Sequence, residues 1–261
     1  MWRRSARAGA GRAAAGSSPG SRPAGACPPG ADGATALRDD RHRRHPPFAA
    51  GDVLVVGQKI VSKAEGRLVR LGDVTPSAIA AAMARELGRD ARLVEVILRE
   101  SRRVVRMDKG VLIAETHHGW ICANAGVDQS NVELDTVVLL PEDPDRSARR
   151  LRERLRALAG VDVAVLIADT FGRPWREGLT NVAIGVAGVA PLRSYLGARD
   201  PAGHTLQATI LAVADELAGA AELVMGKLAR IPAAIVRGLE LPVAEEGSKP
   251  LLRDPSRDLF R

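Results

Sequence analysis

Short apolar runs alternate with polar, glycine-containing segments from residue 51 to the end of the chain. Runs rich in Val, Leu, Ile and Ala, typical of buried strands, occupy residues 52–56, 137–140, 161–168 and 233–236. Two further runs, at residues 104–106 and 111–114, flank Met-Asp-Lys-Gly and predict a β-hairpin. Residues 181–189, rich in Gly and Val, are a candidate strand pair.

Helical patterns fill most of the space between these runs. One helix is predicted to begin at Thr75-Pro76, as N-cap and first residue, and to reach Leu98 with a break near Gly88. A second, strongly charged helix spans residues 143–159, and a third spans residues 205–223. The polar, glycine-bounded segment GQKIVSKAEGR at residues 57–67 is predicted to be a loop, and residues 225–232 a turn.

The first 48 residues show neither helical nor strand periodicity. They are rich in Arg, Ala, Gly, Pro and Ser, which predicts a disordered extension, and the lack of an apolar segment excludes a secretory signal. The net charge of the whole chain is +7, but residues 1–50 hold nine arginines against three acidic residues. The remaining 29 basic and 28 acidic residues nearly cancel, so the charge is no argument for a nucleic-acid-binding fold.

The composition also indicates which cellular environment suits the protein. No run of about 18 apolar residues exists, so we expect no transmembrane helix and no membrane partner. The two cysteines, Cys27 and Cys122, form no disulfide framework and suit a reducing compartment, so we expect a cytoplasmic protein.

Two segments carry candidate metal ligands. Asp128 and Asn131 lie three residues apart, and both could face one ligand if their turn runs into a helix. The alternative is an Asx-rich turn that only caps that helix. Asp169 and Thr170 follow the strand predicted at 161–168, where a carboxylate and a hydroxyl can hold a metal–phosphate group. In the alternative interpretation, Asp169 simply caps the turn.

Basic side chains lie beside both segments. Lys59 and Lys63 follow the first strand, at the position where open α/β sheets place ligand-binding groups, although a solvated loop is the alternative. Arg173 and Arg176 could contact an anionic substrate or be solvated. Gly226 permits close backbone approach to a ligand, and Lys227 adds a charge beside it.

His117 and His118 form a separate candidate binding site. A zinc site that used them with Cys122 would need further ligands at suitable spacing, and none is nearby in the sequence. The histidines could line a substrate pocket or brace the turn around Asp128, and the sequence does not choose between these roles.

Four segments together resemble one family, the coenzyme F-420:gamma-L-glutamate ligases. They are GDVLVVGQKIVSKAEGR, THHGWICANAGVDQSNV, ADTFGRPWREGLTNVAIGVAG and ADELAGAAELVMGK, in the family's order. The resemblance implies the family's own mixed α/β (α+β) fold over residues 49–261, working as a homodimer. The ending LLRDPSRDLFR resembles the point where actinobacterial members continue into a flavin-binding domain.

The resemblance also implies a reaction. GTP activates a carboxylate of F-420-0 as an acyl phosphate, the amine of L-glutamate attacks to form an amide, and further glutamates join through their gamma-carboxylates. The family uses magnesium or manganese, two ions per site, often with potassium.

Motif by motif, the resemblance implies metal-binding roles for Asp128, Asp169 and Thr170. It implies nucleotide contacts for Gln58, Lys63, Asn131, Met225, Gly226, Lys227, Leu228, Ala229, Arg230, Ile231 and Pro232. Lys227 stands where some members supply a metal-binding Gln; a protonated lysine cannot ligate a metal, so we expect it to neutralise phosphate.

The N-terminal segment departs from the family pattern, and this leaves other functions open. Family members begin with a strand, a Gly-Leu-Pro-type loop that contacts GTP, and a Gly-Asp-Asp-Leu helix start. Residues 1–50 show none of these convincingly. We therefore expect part of the nucleotide site and one strand to be missing. The alternatives are a metal-dependent nucleotide hydrolase, a catalytically impaired ligase-like binding protein, or a nucleic-acid binder that acts through residues 1–48.

Overall fold

The computed structural model describes residues 47–258. The predicted disorder of residues 1–48 therefore lies outside the described residues, apart from the last two. Phe48 packs against the core, and the Pro47 carbonyl accepts a hydrogen bond from Arg237 at 2.8 Å. The chain is thus in contact with the folded part by residue 47.

The described chain forms eleven strands and five α-helices. The strands are β1 (Val53–Gly57), β2 (Leu68–Arg70), β3 (Ser101–Asp108), β4 (Val111–Thr116), β5 (Ile121–Ala123), β6 (Thr136–Val138), β7 (Ala164–Arg173), β8 (Arg176–Ala187), β9 (Arg193–Ser194), β10 (Ile210–Leu211) and β11 (Ala233–Val236). The helices are α1 (Gln58–Ala64), α2 (Ala78–Leu87), α3 (Ala91–Arg99), α4 (Pro144–Ala159) and α5 (Val213–Met225). Four short 3₁₀ turns complete the list, at Leu71–Asp73, Asn124–Gly126, Lys249–Leu251 and Pro255–Arg257.

A mixed sheet with the strand order β11-β1-β7-β8 organises the molecule. Strands β1 and β7 are parallel, whereas β11 and β8 run antiparallel to their neighbours. Gly57 pairs with Ala168, so both parallel strands reach the same edge of the sheet at these residues. Ligand-binding groups collect beyond this edge in open α/β sheets. The predicted mixed α/β fold is confirmed.

Both faces of this sheet are buried. Alternate residues of β1 and β7 point to opposite faces, as strand geometry requires. One face, with Leu54 and Val165, packs against α4; the other, with Val55 and Leu166, packs against α5. The near-continuous apolar runs predicted from the sequence are therefore strands covered on two sides.

A second sheet lies in its own apolar cluster. It is antiparallel with the order β3-β4-β5, and its buried side chains pack with α2, α3 and residues of β6. The predicted hairpin is confirmed, with Lys109 and Gly110 at φ 50° and 75° in the turn. Positive φ at both positions is the signature of a type I′ hairpin turn.

Several predicted element boundaries are wrong. The segment 57–67 is not a loop, since residues 58–64 form α1, where Val61 and Ser62 are buried. Helix α5 begins at Val213 rather than at residue 205, because Ile210 and Leu211 form β10 and pair with β9. Residues 181–189 are not a strand pair, since 181–187 belong to the single long strand β8. Tertiary pairing and burial override local pattern in each case.

The helical segment predicted between residues 75 and 98 is confirmed, as α2 and α3 with a break between them, but its predicted N-cap is wrong. Ser77 rather than Thr75 caps α2, accepting from the Ala80 N–H at 3.2 Å. The break lies at Gly88, which takes the left-handed conformation at φ 65° that glycine tolerates best at a helix end. The predicted limits of α4 hold, with Asp143 as N-cap and Gly160 as C-cap.

Asp145 joins α4 to two other parts of the fold. Its carboxylate accepts hydrogen bonds from the backbone N–H groups of Val186 at 2.8 Å and Ser248 at 2.9 Å. Both donors belong to buried residues, so removal of the acceptor leaves them without partners. Asp145→Ala is expected to lower the free energy of unfolding by about 2 kcal/mol in urea denaturation. Asp108→Ala, which removes an exposed carboxylate paired with Arg106, is the control and should change it by at most about 0.5 kcal/mol.

Candidate functional site

Asp169 and Thr170 lie where β7 passes the end of β1. Strand β7 does not end at Ala168 but continues to Arg173 as a hairpin with β8, in which Asp169 pairs with Val182 and Thr170 with Asn181. The interpretation of Asp169 as a turn cap is therefore wrong. Its side chain is fixed by an extended, hydrogen-bonded backbone at the edge of the parallel pair.

The environment of Asp169 opposes ionisation. Burial raises the pKa of its carboxyl to about 6, the N–H of Thr170 lowers it through a 2.8 Å hydrogen bond, and the nearby charge of Asp128 raises it. The charges of Lys59 and Lys227 lower this pKa to a smaller extent. Those two lysines form their ion pairs with Asp128 and Glu222 instead. A cation that binds directly to Asp169 would therefore relieve an unfavourable charge.

The loop that carries Asp128 is built by tight backbone turns. Gly126, at φ 75°, packs against Leu140 so closely that a Cβ there would lie 2.6 Å from Leu140 Cγ. Asp128 then forms an antiparallel bridge with Val138, through two backbone hydrogen bonds of 3.0 and 2.8 Å. No helix follows: Asn131 has φ 59° and the chain continues to β6. Both helical interpretations of the Asp128–Asn131 spacing are wrong.

Both carboxylate oxygens of Asp128 have partners. Oδ1 accepts from the Ser130 N–H at 2.6 Å, and Oδ2 lies 2.6 Å from Lys59 Nζ. Lys59 Nζ also donates to Ser130 Oγ. Burial raises the pKa of Asp128, but the hydrogen bonds from Lys59 and Ser130 outweigh it, so the net shift is downward. Asp128 is therefore ionised down to a lower pH than Asp169.

A second polar network surrounds Thr170. Its hydroxyl donates to Asn181 Oδ1 at 2.7 Å and accepts from Lys227 Nζ. The Asn181 amide donates to Glu222 Oε2 at 3.0 Å, and Lys227 Nζ lies 3.6 Å from Glu222 Oε1. Polar side chains thus connect the end of α5 to the β7–β8 hairpin.

The turn at residues 225–232 passes beside the end of β1. The Gly57 N–H donates to the Pro232 carbonyl at 2.9 Å, and Gly57 also lies against the Met225 side chain. Leu228, in the middle of the turn, is 94% exposed. The turn predicted to contact a nucleotide therefore borders the same edge as Asp169.

Helix α1 closes another side of this edge. Gln58 is only 2% exposed; its Oε1 accepts from Ser62 Oγ at 2.8 Å, while its Nε2 has no hydrogen-bond partner within residues 47–258. One turn after Lys59, Lys63 donates to the Asn131 carbonyl. Gln58, Lys63 and Asn131, all predicted nucleotide contacts, are thus brought near Asp128, with one buried amide donor unsatisfied.

The donor set suits a hard cation that also binds its substrate. Asp128, Asp169 and Thr170 offer only oxygen atoms, as magnesium and manganese prefer. In the part of the chain that the structure describes, no three His, Cys, Asp or Glu side chains come together in an arrangement able to hold a metal ion. Two carboxylates completed by substrate phosphate oxygens are the usual arrangement for magnesium.

Comparison with known proteins assigns the chain to a family. The model of a family described as F420-0:gamma-glutamyl ligase matches residues 27–238, which include every candidate site residue described above. The chain belongs to this family.

Relatives within the F420-0:gamma-glutamyl ligase family support the assignment over most of their length. A protein named coenzyme F420:L-glutamate ligase from Methanopyrus kandleri is 52% identical over 217 residues, covering 81% of this chain and 86% of the relative. Proteins of the same name from Methanothermobacter thermautotrophicus and Methanocaldococcus jannaschii are 46% and 39% identical, covering 81% and 82% of this chain and 85% and 86% of the relatives.

Four predicted substrate residues of this family member make their hydrogen bonds away from Asp128, Asp169 and Thr170. His117 Nε2 is 2.8 Å from the Arg99 carbonyl, and His118 Nε2 is 3.0 Å from the carbonyls of residues 141 and 142. Arg173 donates to the Glu177 carbonyl at 2.7 Å within the β7–β8 turn, next to Arg176. The histidines thus join separate backbone segments, and a substrate role for all four stays a prediction.

The sequence alone predicted no role for Asn181 and Glu222 in this ligase-family chain, and it did not predict the contact of Lys59 with Asp128. Asn181 could have been found from the hairpin register, which pairs it with Thr170. Glu222 could have been found from its position in the last turn of α5, five residues before Lys227. Lys59 was recognised only as a lysine after the first strand, because its contact with Asp128 depends on the fold of a loop 69 residues later.

Residues 47–258 contain no helix long and apolar enough to cross a membrane.

Proposed function

We propose that this family member is a GTP-dependent ligase that adds L-glutamate to F-420-0 and then extends the product with gamma-linked glutamates. In this reaction a carboxylate oxygen of the acceptor attacks the γ-phosphorus of GTP, and the bond from that phosphorus to GDP breaks. The amine of L-glutamate then attacks the resulting acyl phosphate, phosphate leaves, and an amide forms.

One observation carries the proposal. Asp128, Asp169 and Thr170 converge at the edge of the sheet where Lys63, Gln58 and the 225–232 turn also lie, in a chain of this family. Acyl-phosphate chemistry depends on alignment of two reactants and on neutralisation of phosphate charge. The side chains of Asp128, Asp169 and Thr170 form an oxygen cluster beside lysines. Such a cluster can align the reactants and, with bound cations, neutralise phosphate charge.

Asp128 and Asp169 would hold a magnesium or manganese ion, and Thr170 would hold a second ion, with potassium as a further cofactor. Bound there, these ions neutralise the phosphate charge that develops during transfer. Lys227 already contributes a positive charge at Thr170, 3.6 Å from Glu222, and would act on phosphate rather than as a ligand. Arg173, Arg176, His117 and His118 remain candidates for contacts with F-420-0 or L-glutamate.

We further propose that the protein works as a homodimer in the cytoplasm. Large apolar side chains exposed near the site are compatible with a partner surface: Trp175, Leu179, Leu223 and Leu228. Light scattering coupled to size-exclusion chromatography would measure the mass directly.

A mass-spectrometric assay tests the reaction. Purified protein is incubated with F-420-0, L-glutamate, manganese and either GTP or ATP. Successive additions of glutamyl units that require GTP and L-glutamate are the expected result. Rapid GTP hydrolysis that needs neither F-420-0 nor L-glutamate would indicate a nucleotide hydrolase. Binding of F-420-0 without turnover would indicate a catalytically impaired binding protein.

A further inference from the structure

The ammonium group of Lys59 lies inside the oxygen cluster. Lys59 Nζ is 2.6 Å from Asp128 Oδ2 and donates to Ser130 Oγ, and its charge also reaches Asp169. The Lys59 side chain is 26% exposed, so it is held by the site rather than extended into solvent.

This arrangement conflicts with the presence of a divalent cation at the same carboxylate. Asp128 Oδ1 is already bonded to the Ser130 N–H and Oδ2 to Lys59. A doubly charged ion at Asp128 would lie within a few ångströms of the ammonium, where repulsion between like charges is strong in a partly buried site. One of the two positive charges must leave for the other to bind well.

We propose that a divalent cation and Lys59 compete for Asp128, and that the lysine released by the cation binds a phosphate group of the nucleotide. The inference rests on the proposed function, because it takes the cation and the nucleotide phosphates from there. It adds Lys59 to the substrate-binding residues and makes its contribution conditional on the metal.

The position of Lys59 on α1 determines where the released ammonium can go. Lys63 lies one turn later on the same face of the helix and contacts the Asn131 carbonyl. The other carboxylate that Lys59 senses, Asp169, would bind the same cation and offers no alternative partner. A phosphate bound between α1 and residues 130–131 is then the nearest anion for the ammonium, and charge-assisted hydrogen bonds to it replace the lost ion pair.

Metal binding without nucleotide tests the competition. Manganese affinity is measured by calorimetry for the wild type and for Lys59→Met, Lys59→Arg and Lys63→Met. We expect Lys59→Met to bind manganese about tenfold more tightly, as a coupling of ordinary size between two ligands of one site predicts. Lys59→Arg keeps the charge and should stay near the wild type. Lys63→Met should also stay near it, because Lys63 contacts a neutral carbonyl.

GTP affinity gives a second, independent measurement. Lys59→Met is expected to weaken GTP binding about tenfold with manganese present and to leave it unchanged in EDTA, where Lys59 is still tied to Asp128. A lysine with a purely structural role would not make the effect of its removal depend on metal. Thermal unfolding of each variant verifies that it is folded.

The outcomes separate the inference from the proposed function. Unchanged or weaker manganese binding by Lys59→Met, in a protein that still transfers glutamate, overturns the competition alone. Failure of the wild type to bind manganese both alone and together with GTP overturns both the competition and the metal-dependent reaction.

Discussion

Asp169→Asn is expected to have opposite effects on activity and on stability. Glutamyl transfer should fall by about 10²–10³-fold in kcat/KM, the usual effect of removing one group that stabilises charge in a transition state. The metal-free variant, in contrast, should unfold at a higher temperature than the wild type at pH 8. Kinetic assays and thermal unfolding in EDTA measure the two effects on the same preparation.

The sign of the stability effect follows from the pKa of Asp169. Its value of about 6 in the folded protein exceeds the ordinary value of 3.8, so the folded state binds this proton more tightly than the unfolded state. The stabilisation from the protonated carboxyl is therefore fully present below pH 3.8 and is lost as the pH rises through 6. At pH 8 the ionised carboxylate destabilises the fold by about 3 kcal/mol at most.

An Asn side chain has nearly the same shape and keeps an oxygen for the Thr170 N–H, but it carries no charge. The variant should thus gain about 2 kcal/mol at pH 8, or about 4–8 °C in melting temperature. Near pH 4, where the wild-type carboxyl is also neutral, the difference should disappear. Equal melting temperatures at both pH values would show that the surroundings of Asp169 do not oppose its ionisation.

Asp215→Asn is the matched control. Burial also raises the pKa of Asp215, whose carboxylate accepts from the Ala183 N–H at 2.9 Å on the α5 side of the sheet. Its replacement should therefore act on stability in the same direction at pH 8 while leaving glutamyl transfer close to the wild-type rate. A comparable loss of activity in Asp215→Asn would mean that the Asp169 result reflects damage to the fold.

The main sheet could be predicted where burial alone decides the structure. The apolar runs of β1, β7 and β11 are strands because they are covered on both faces, and this leaves a direct signal in the sequence. Helix α1 left no such signal. It is short, and its buried face includes the polar residues Gln58 and Ser62, which are joined by a side-chain hydrogen bond. When buried residues of a short helix are polar, the sequence pattern resembles that of a loop.

The candidate site could be predicted only in part from the sequence, for a related reason. Asp128, Asp169 and Thr170 follow or begin recognisable segments, so their chemistry could be predicted one residue at a time. Their arrangement depends on the parallel pairing of β1 with β7 and on the bridge of Asp128 to Val138. Those contacts join distant parts of the chain, and no local pattern specifies them. The Lys59–Asp128 ion pair is a direct consequence of this long-range arrangement.

Asp128→Asn is expected to lower both glutamyl transfer and GTP turnover by about 10³-fold in kcat/KM, because it removes a carboxylate charge that would hold the cation. The amide oxygen can still accept from the Ser130 N–H, so the loop should keep its conformation. The lost ion pair with Lys59 is 41% exposed on the Asp128 side and should change stability by less than about 1 kcal/mol. Manganese calorimetry and the mass-spectrometric assay measure the functional loss.

The pH dependence of Asp128 distinguishes its role from that of Asp169. The folded-state pKa of Asp128 is lowered, so its contribution to stability is present above pH 3.8 and is lost as the pH falls below that value. Asp128→Asn should therefore not reproduce the stabilisation at pH 8 that Asp169→Asn shows. Asp135→Asn, which alters another carboxylate of the same connecting segment, paired with Arg92 at 3.1 Å, should leave activity and manganese binding unchanged. If Asp128→Asn kept activity within about tenfold of the wild type, a difference of only about 1.4 kcal/mol, Asp128 would not be a ligand of the cation. The divalent ion would then have to be held by Asp169 and substrate phosphates alone.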